Sequence, residues 1–308
     1  MILSTGNNGI IKMNNRTRAH IGLLATNFFF AVNLSAVKYL TGNGFMKPFG
    51  MNVIRVGVSV FLFWFFFLLN KKQKSIDKRD WPRFILCALT GIAINQLLFL
   101  KGLSLTYSIH AALLMLTTPI LITVIATWVL KEKISINKII GLGLGVSGAI
   151  VLITSRQNTG NGNDILLGDI LIIINAVSYT VYFILVKPLM TKYNPVQVIR
   201  WIFTIGMVMV IPFGWNEFTE IEWKHFGVAE YGCIGMIVIG GTFLAYLFNV
   251  YGIKVLGASV AGSYIYLQPL FAAIIAMLFL KEHLALYKIF AAILIFTGVY
   301  VCNKQPTL

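Results

Sequence analysis

The sequence predicts an all-α polytopic membrane protein, with ten transmembrane helices arranged as two inverted five-helix repeats. Three observations carry that prediction. Hydrophobic residues fill 58% of the 308 positions and charged residues only 11%, against about 25% charged in a soluble domain, too few to coat a water-facing surface. Apolar runs such as "AALLMLTTPILITVIATWVL" (111–130) and "GSYIYLQPLFAAIIAMLFL" (262–280) reach the ~20 residues that cross a hydrocarbon core. The chain also matches itself. Slid by 150 positions, 101–153 aligns with 251–303 without a gap, with 13 identities in 53 positions.

Every span must be a helix, because a backbone in lipid has to satisfy its own N–H and C=O groups. Residues 1–18 are expected as a cytoplasmic segment whose Lys12, Arg16 and Arg18 precede the first span. No cleavage pattern follows them, so that span is expected to stay. The first repeat, 19–155, holds spans near 19–40, 50–69, 83–102, 109–130 and 136–155. The polar, glycine-bearing "RQNTGNGND" (156–164) marks a linker over 156–165. The second repeat, 166–303, holds spans near 166–187, 196–215, 228–251, 258–280 and 285–302. Residues 304–308 form a tail.

The formal charge of +15 would suggest nucleic acid in a soluble domain. Here the cations sit in short segments between spans, so they read as topogenic charge and no nucleic-acid partner is expected. With the N-terminus inside, the cytoplasmic loops collect Lys71, Lys72, Lys74, Lys78, Arg79, Arg83, Lys131, Lys133 and Lys138, the excess that marks that side. The bias comes almost wholly from the first half. Both termini are expected in the cytoplasm, in a multi-pass protein of the inner (plasma) membrane. Cys87, Cys233 and Cys302 have neither pair nor metal spacing. No nucleophile–base constellation appears, so no metal, no cofactor and no enzymatic activity are expected.

The identities include Gly102/Gly252, Pro119/Pro269, Leu130-Lys131-Glu132/Leu280-Lys281-Glu282, Lys138/Lys288 and Gly148/Gly298. Shared greasiness matches Leu with Leu; it does not align a proline, a charge pair and two glycines in one register. Upstream, "VIR" at 53–55 matches 198–200 at an offset of 145. Five spans per copy is an odd number, so the second copy crosses in the opposite sense. Inverted repeats are the architecture of many carriers that alternate access around a midplane site. Glu132 and Glu282 then fix the same helix junction in each copy.

Taken together these features resemble the drug/metabolite transporter superfamily, in particular its EamA-type members with ten spans. The likeness rests on the tandem repeat, on Pro119 and Pro269, and on the ends running from Leu130-Lys131-Glu132 to Gly148 and from Leu280-Lys281-Glu282 to Gly298. Pro48…Arg55 and Pro195…Arg200 look like the family's second-span entries. It covers about residues 20–303 and implies fold and transport, not a substrate. Members of that superfamily mostly export amino acids, related metabolites or toxic compounds, and some relatives move sugar-linked lipids or nucleotide sugars.

The candidate site comes from polar residues inside spans. Pro119 and Pro269 lack an N–H and leave the carbonyls of Met115 and Ile265 unbonded, as paired kinks that either line a cavity or are satisfied within the protein. Thr242, Tyr246 and Asn249 share an i, i+4, i+7 face of span 8. Asn175, Tyr179 and Tyr182 share a face of span 6, with Ser178 beside them, and Tyr264 and Gln268 share one of span 9. In the first repeat, Gln96 aligns with Tyr246, Thr118 with Gln268, and Asn33 with Ser178. Each such residue either glues helices or faces a cavity; recurring on matched spans, the set favours a polar substrate cavity. Arg55 and Arg200 read either as snorkelling and carbonyl-binding groups or as anion binders. Asp169 and Glu230 read as helix caps, and His110 is the one candidate pH-sensitive group.

No Asp or Glu stands near the middle of a span, where proton-coupled carriers place one. The expected function is therefore a secondary transporter moving a small neutral or zwitterionic solute, such as an amino acid or related metabolite, by alternating access, with export favoured only as the family resemblance implies. The partners are that small-molecule substrate and the lipid bilayer, with a homodimer left open. The alternatives are a lipid-linked-sugar flippase, or an intramembrane enzyme or sensor. Against those last two stand the missing catalytic constellation and the missing output domain.

Overall fold

A computed structural model describes residues 15–68, 75–118, 121, 136–154, 164–256, 264–281 and 283–303. Among the described residues all regular structure is helical. In chain order the helices are α1 (Asn15–Gly42), α2 (Pro48–Leu68), α3 (Lys78–Leu105), α4 (Ser108–Met115) and α5 (Ile136–Thr154). They continue with α6 (Ile165–Lys192), α7 (Pro195–Thr219), α8 (228–256), α9 (Gln268–Phe279) and α10 (Leu286–Asn303). Six of them, α1, α2, α3, α6, α7 and α8, are long and apolar enough to cross a bilayer.

The pairing of helices shows the duplication in space. Gly50 of α2 lies against the backbone of Glu217, Gly57 against Met207, and Trp64 Nε1 donates to Thr204 Oγ1 at 3.0 Å. Position rises along α2 as it falls along α7, so these two second helices run antiparallel. The fifth helices do the same: Gly148 faces Ala291 and Ile295, while Gly298 faces Gly141 and Gly145. Corresponding helices can run antiparallel only if the two halves are inverted. Across the halves α1 packs on α8, where Gly252 meets Leu23. Likewise α3 packs on α6, where Gly102 meets the Gly168 carbonyl. Small residues at these crossings bring backbones close without a hydrophobic driving force in lipid.

Helix ends are closed across the repeats. Glu217, near the end of α7, accepts from the Phe49 and Gly50 amides at 2.7 and 3.0 Å, placing an anion on the positive end of α2. Asn194 caps α7 through Val196 N at 3.1 Å. Glu230 accepts from its own N-cap amide, Gly227 N, at 2.8 Å and from the Tyr39 hydroxyl at 2.7 Å, the capping role expected. Asp169 corrects the other half of that expectation. Asp164 caps α6, through Leu167 N at 3.4 Å, whereas Asp169 lies a turn further in and is fully buried.

Two further differences from the sequence reading have local causes. Helices α6 and α7 run past their expected ends to Lys192 and Thr219, through Pro188 and Pro212, since a proline in lipid is tolerated where neighbours satisfy the freed carbonyl. Pro269 sits just past a change of helix type. One 3₁₀ turn, Tyr264–Leu267, precedes α9, and Pro269 stands in the first turn of α9, where its missing N–H belongs to the unbonded set anyway. Pro119 and both junction glutamates, Glu132 and Glu282, lie outside the described residues. The second junction is still visible at its edges. Helix α9 ends at Phe279, Lys281 takes φ 53°, and Lys288 Nζ donates to the His283 carbonyl at 3.0 Å.

Two apolar clusters fill the interior, one around Leu34, Leu100 and Leu114 and one around Phe63, Phe84 and Phe203. Large apolar side chains also point outward, among them Phe61, Val208, Leu278, Phe279 and Phe290. On a soluble protein such a belt would be an aggregation hazard; on a multi-pass membrane protein it is the lipid-facing surface.

Candidate functional site

Both long helices at the centre of the bundle carry a π stretch at the same place in their repeat. In α3 it spans Leu89–Ala93 and in α8 Met236–Leu244, and the first maps into the second at the 150-residue offset. A π stretch widens the turn, frees carbonyls and resets the phase of the turns after it. Ser178 Oγ donates to the freed Thr90 carbonyl at 2.7 Å, and Thr242 Oγ1 donates to the Ile237 carbonyl at 2.9 Å.

Beyond these stretches the two halves frame an open cavity lined by both polar and apolar side chains. Its atom-free space, open mouth included, is about 990 Å³. From the first repeat come Asn33 on α1, Gln96 on α3 and Thr118 beyond α4. From the second come Asn175 and Tyr179 on α6, Tyr246 and Asn249 on α8, and Gln268 on α9. These eight of the sequence-predicted residues are thus brought to one wall system.

Three are not. Thr242 is fully buried behind the wall, since the π stretch breaks the i, i+4 register that would have aligned it with Tyr246. Tyr182 packs its ring against Gly91 and Tyr179. Tyr264 meets His20 Nδ1 through its hydroxyl at 2.7 Å. His110 also lies apart from the cavity: its Nδ1 is 3.4 Å from Asp169 Oδ2, its Nε2 is 3.3 Å from the Tyr287 hydroxyl, and Asp169 also accepts from Thr106.

The wall includes residues the sequence reading passed over, Thr26, Asn27, Phe30, Asn95 and Phe99, together with Arg55, Met115 and Ile265, which it names as a candidate anion binder and as the sources of the two proline-freed carbonyls. A signal existed for part of this set, since Asn27, Phe30 and Asn33 recur every three residues along one stripe of α1. Ile265 is the residue whose carbonyl Pro269 cannot bond. Several wall amides are held in place. Asn175 Nδ2 donates to the Asn95 carbonyl at 2.7 Å, and Asn95 Nδ2 returns to the Asn175 carbonyl at 3.4 Å. Thr26 Oγ1 donates to the Ala245 carbonyl at 3.2 Å, tying α1 to α8.

Arg55 and Arg200, matched by sequence, part company in space. Arg200 places its guanidinium 4.4 Å from the Trp64 ring centroid and 5.6 Å from that of Trp201, as a packed cation. Arg55 enters the cavity wall. Its Nε donates to Thr242 Oγ1 at 2.7 Å, and its Cζ lies 5.9 Å from the Phe99 centroid.

An inverted helical duplication around a cavity between its halves is an architecture shared with many membrane transporters. Comparison with known proteins agrees. Residues 17–154 and 166–304 each match the EamA-like transporter family, and the chain belongs to that family of transporters, which are not enzymes. It is 23% identical to the uncharacterized transporter YetK of Bacillus subtilis over 252 residues, 80% of this chain and 76% of that protein. An uncharacterized transporter of Archaeoglobus fulgidus is 23% identical over 288 residues, 92% and 98% of the two chains. A solved crystal structure superposes with a TM-score of 0.63 over 93% of this chain and 96% of its own, at 17% identity, a likeness of fold.

Proposed function

We propose that the protein is a secondary carrier that moves a small organic solute through the central cavity by alternating access, with export of an amino acid or related metabolite as the favoured task. The observation that carries this reading is the cavity itself. Its polar wall is assembled from matching helices of two inverted halves, so rocking one half on the other would expose it to each side in turn. The charge distribution of the loops supports a plasma-membrane location with both termini in the cytoplasm. His110, held against Asp169 away from the wall, is the candidate for proton coupling.

Counterflow in proteoliposomes tests the reading, using a panel of labelled amino acids and metabolites with and without a pH gradient. Gln268→Ala and Tyr246→Ala are expected to lower flux at least tenfold while insertion and thermal midpoint stay near wild type. Unchanged flux in both variants would remove the cavity assignment. A gradient effect that survives His110→Gln would remove the proton-coupling role.

A further inference from the structure

We infer that Arg55 binds a carboxylate of the transported solute, so the solute carries a free carboxylate, as an acid or a zwitterion, and is not a neutral molecule. The inference rests on the cavity being the substrate site.

Arg55 is only 5% exposed and lies in the cavity wall. A guanidinium withdrawn from water needs an opposite charge or a full set of acceptors. The protein supplies neither among its described residues. Among the described residues no acidic side chain lines the cavity, and every described carboxylate is engaged elsewhere. Asp77 and Asp80 meet Lys192, Glu220 meets Lys47, and Glu222 meets His225. Asp164, Glu217 and Glu230 cap helices, and Asp169 accepts from Thr106.

What Arg55 does have orients it. Thr242 takes its Nε, and Thr242 is itself fixed by donating to the Ile237 carbonyl within the π stretch. One edge of the guanidinium is therefore anchored, while Nη1 has no hydrogen-bond partner among the described residues. A fork with donors to spare suits a carboxylate. In the same wall Asn33 Oδ1 is a buried acceptor without a partner among the described residues, and Asn33 abuts Gly241, the neighbour of Thr242. An acceptor close to the helix turn that holds the cation suits an ammonium group beside a carboxylate. That pairing favours an amino acid over a simple acid. The second repeat adds no matching cation, because Arg200 is packed on Trp64 outside the wall.

The test is counterflow by full-length protein in liposomes with four sets of labelled probes: neutral amino acids, monocarboxylates, N-acetylated amino-acid amides, and glucose. Exchange confined to the two sets with a free carboxylate, falling on the order of 10- to 100-fold in Arg55→Gln and partly retained in Arg55→Lys, is the expected result. Comparable exchange of glucose or of the blocked amides by wild-type protein overturns the inference and leaves the carrier reading standing. So does undiminished carboxylate exchange by Arg55→Gln. No exchange of any probe by folded wild-type protein overturns both. Should Arg55→Gln fail to fold, the probe selectivity of the wild-type protein decides alone. A structural role for Arg55 would lower the thermal midpoint of the ligand-free variant; removal of an unpaired buried cation is expected to leave it equal or higher.

Discussion

Gly241→Ala is the most direct probe of the link between the π stretch of α8 and the cavity. A Cβ at residue 241 would lie 2.8 Å from both Cβ and Oδ1 of Asn33, where ordinary contacts between non-bonded heavy atoms need about 3.5 Å or more. Asn33 Cβ sits on the backbone of α1 and cannot swing aside as a chain end could. Either α1 and α8 part by several tenths of an ångström or Asn33 leaves its position in the wall. Overpacking of this kind costs about 1–3 kcal/mol. Replacing a helical glycine by alanine returns up to about 1 kcal/mol, so the net loss is about 0–3 kcal/mol. Gly143→Ala is the control, because a Cβ there meets nothing within 4 Å, and only the propensity gain remains. The assay is paired: thermal unfolding of the purified variants, and counterflow after reconstitution. Gly241→Ala is expected to unfold below Gly143→Ala and to lose most of its flux. Equal midpoints together with full flux in Gly241→Ala would refute the reasoning.

Three buried or surface partners give further expected outcomes. Asp169→Ala removes the acceptor of the Thr106 hydroxyl and the carboxylate beside His110 and is expected to cost about 2–4 kcal/mol, read as a lower thermal midpoint. Asn175→Ala removes the better-formed half of the α3–α6 exchange, the bond from its Nδ2 to the Asn95 carbonyl, at about 1–3 kcal/mol, with flux falling as well. Lys47→Ala breaks an ion pair whose side chains are 63% and 58% exposed. No measurable change in midpoint is expected there, since solvent screens such pairs.

Much of this protein was legible in its sequence because lipid narrows the choices. A chain with so few charges can only be helical and membrane-spanning, and a duplication of five spans can only be inverted. Helix-period spacing was enough to bring Asn175 with Tyr179, and Tyr246 with Asn249, to one wall. The same spacing misled at Thr242, because the widened turn ahead of Tyr246 leaves no signature in residue type. Asp169 read as a cap because an acid near a helix start usually is one; its burial against Thr106 and His110 depends on α3 and α4, which are remote in sequence.

Arg55 marks the boundary most clearly. Its place early in a span, matched by Arg200, suited anchoring better than anion binding. The composition, the hydrophobic period and the internal repeat, all properties of the chain read along its length, determined the class, the helices and their inverted halves. Which of two matched arginines stacks on tryptophan and which faces a cavity depends on side chains from other helices converging in three dimensions, and only the tertiary structure decided it.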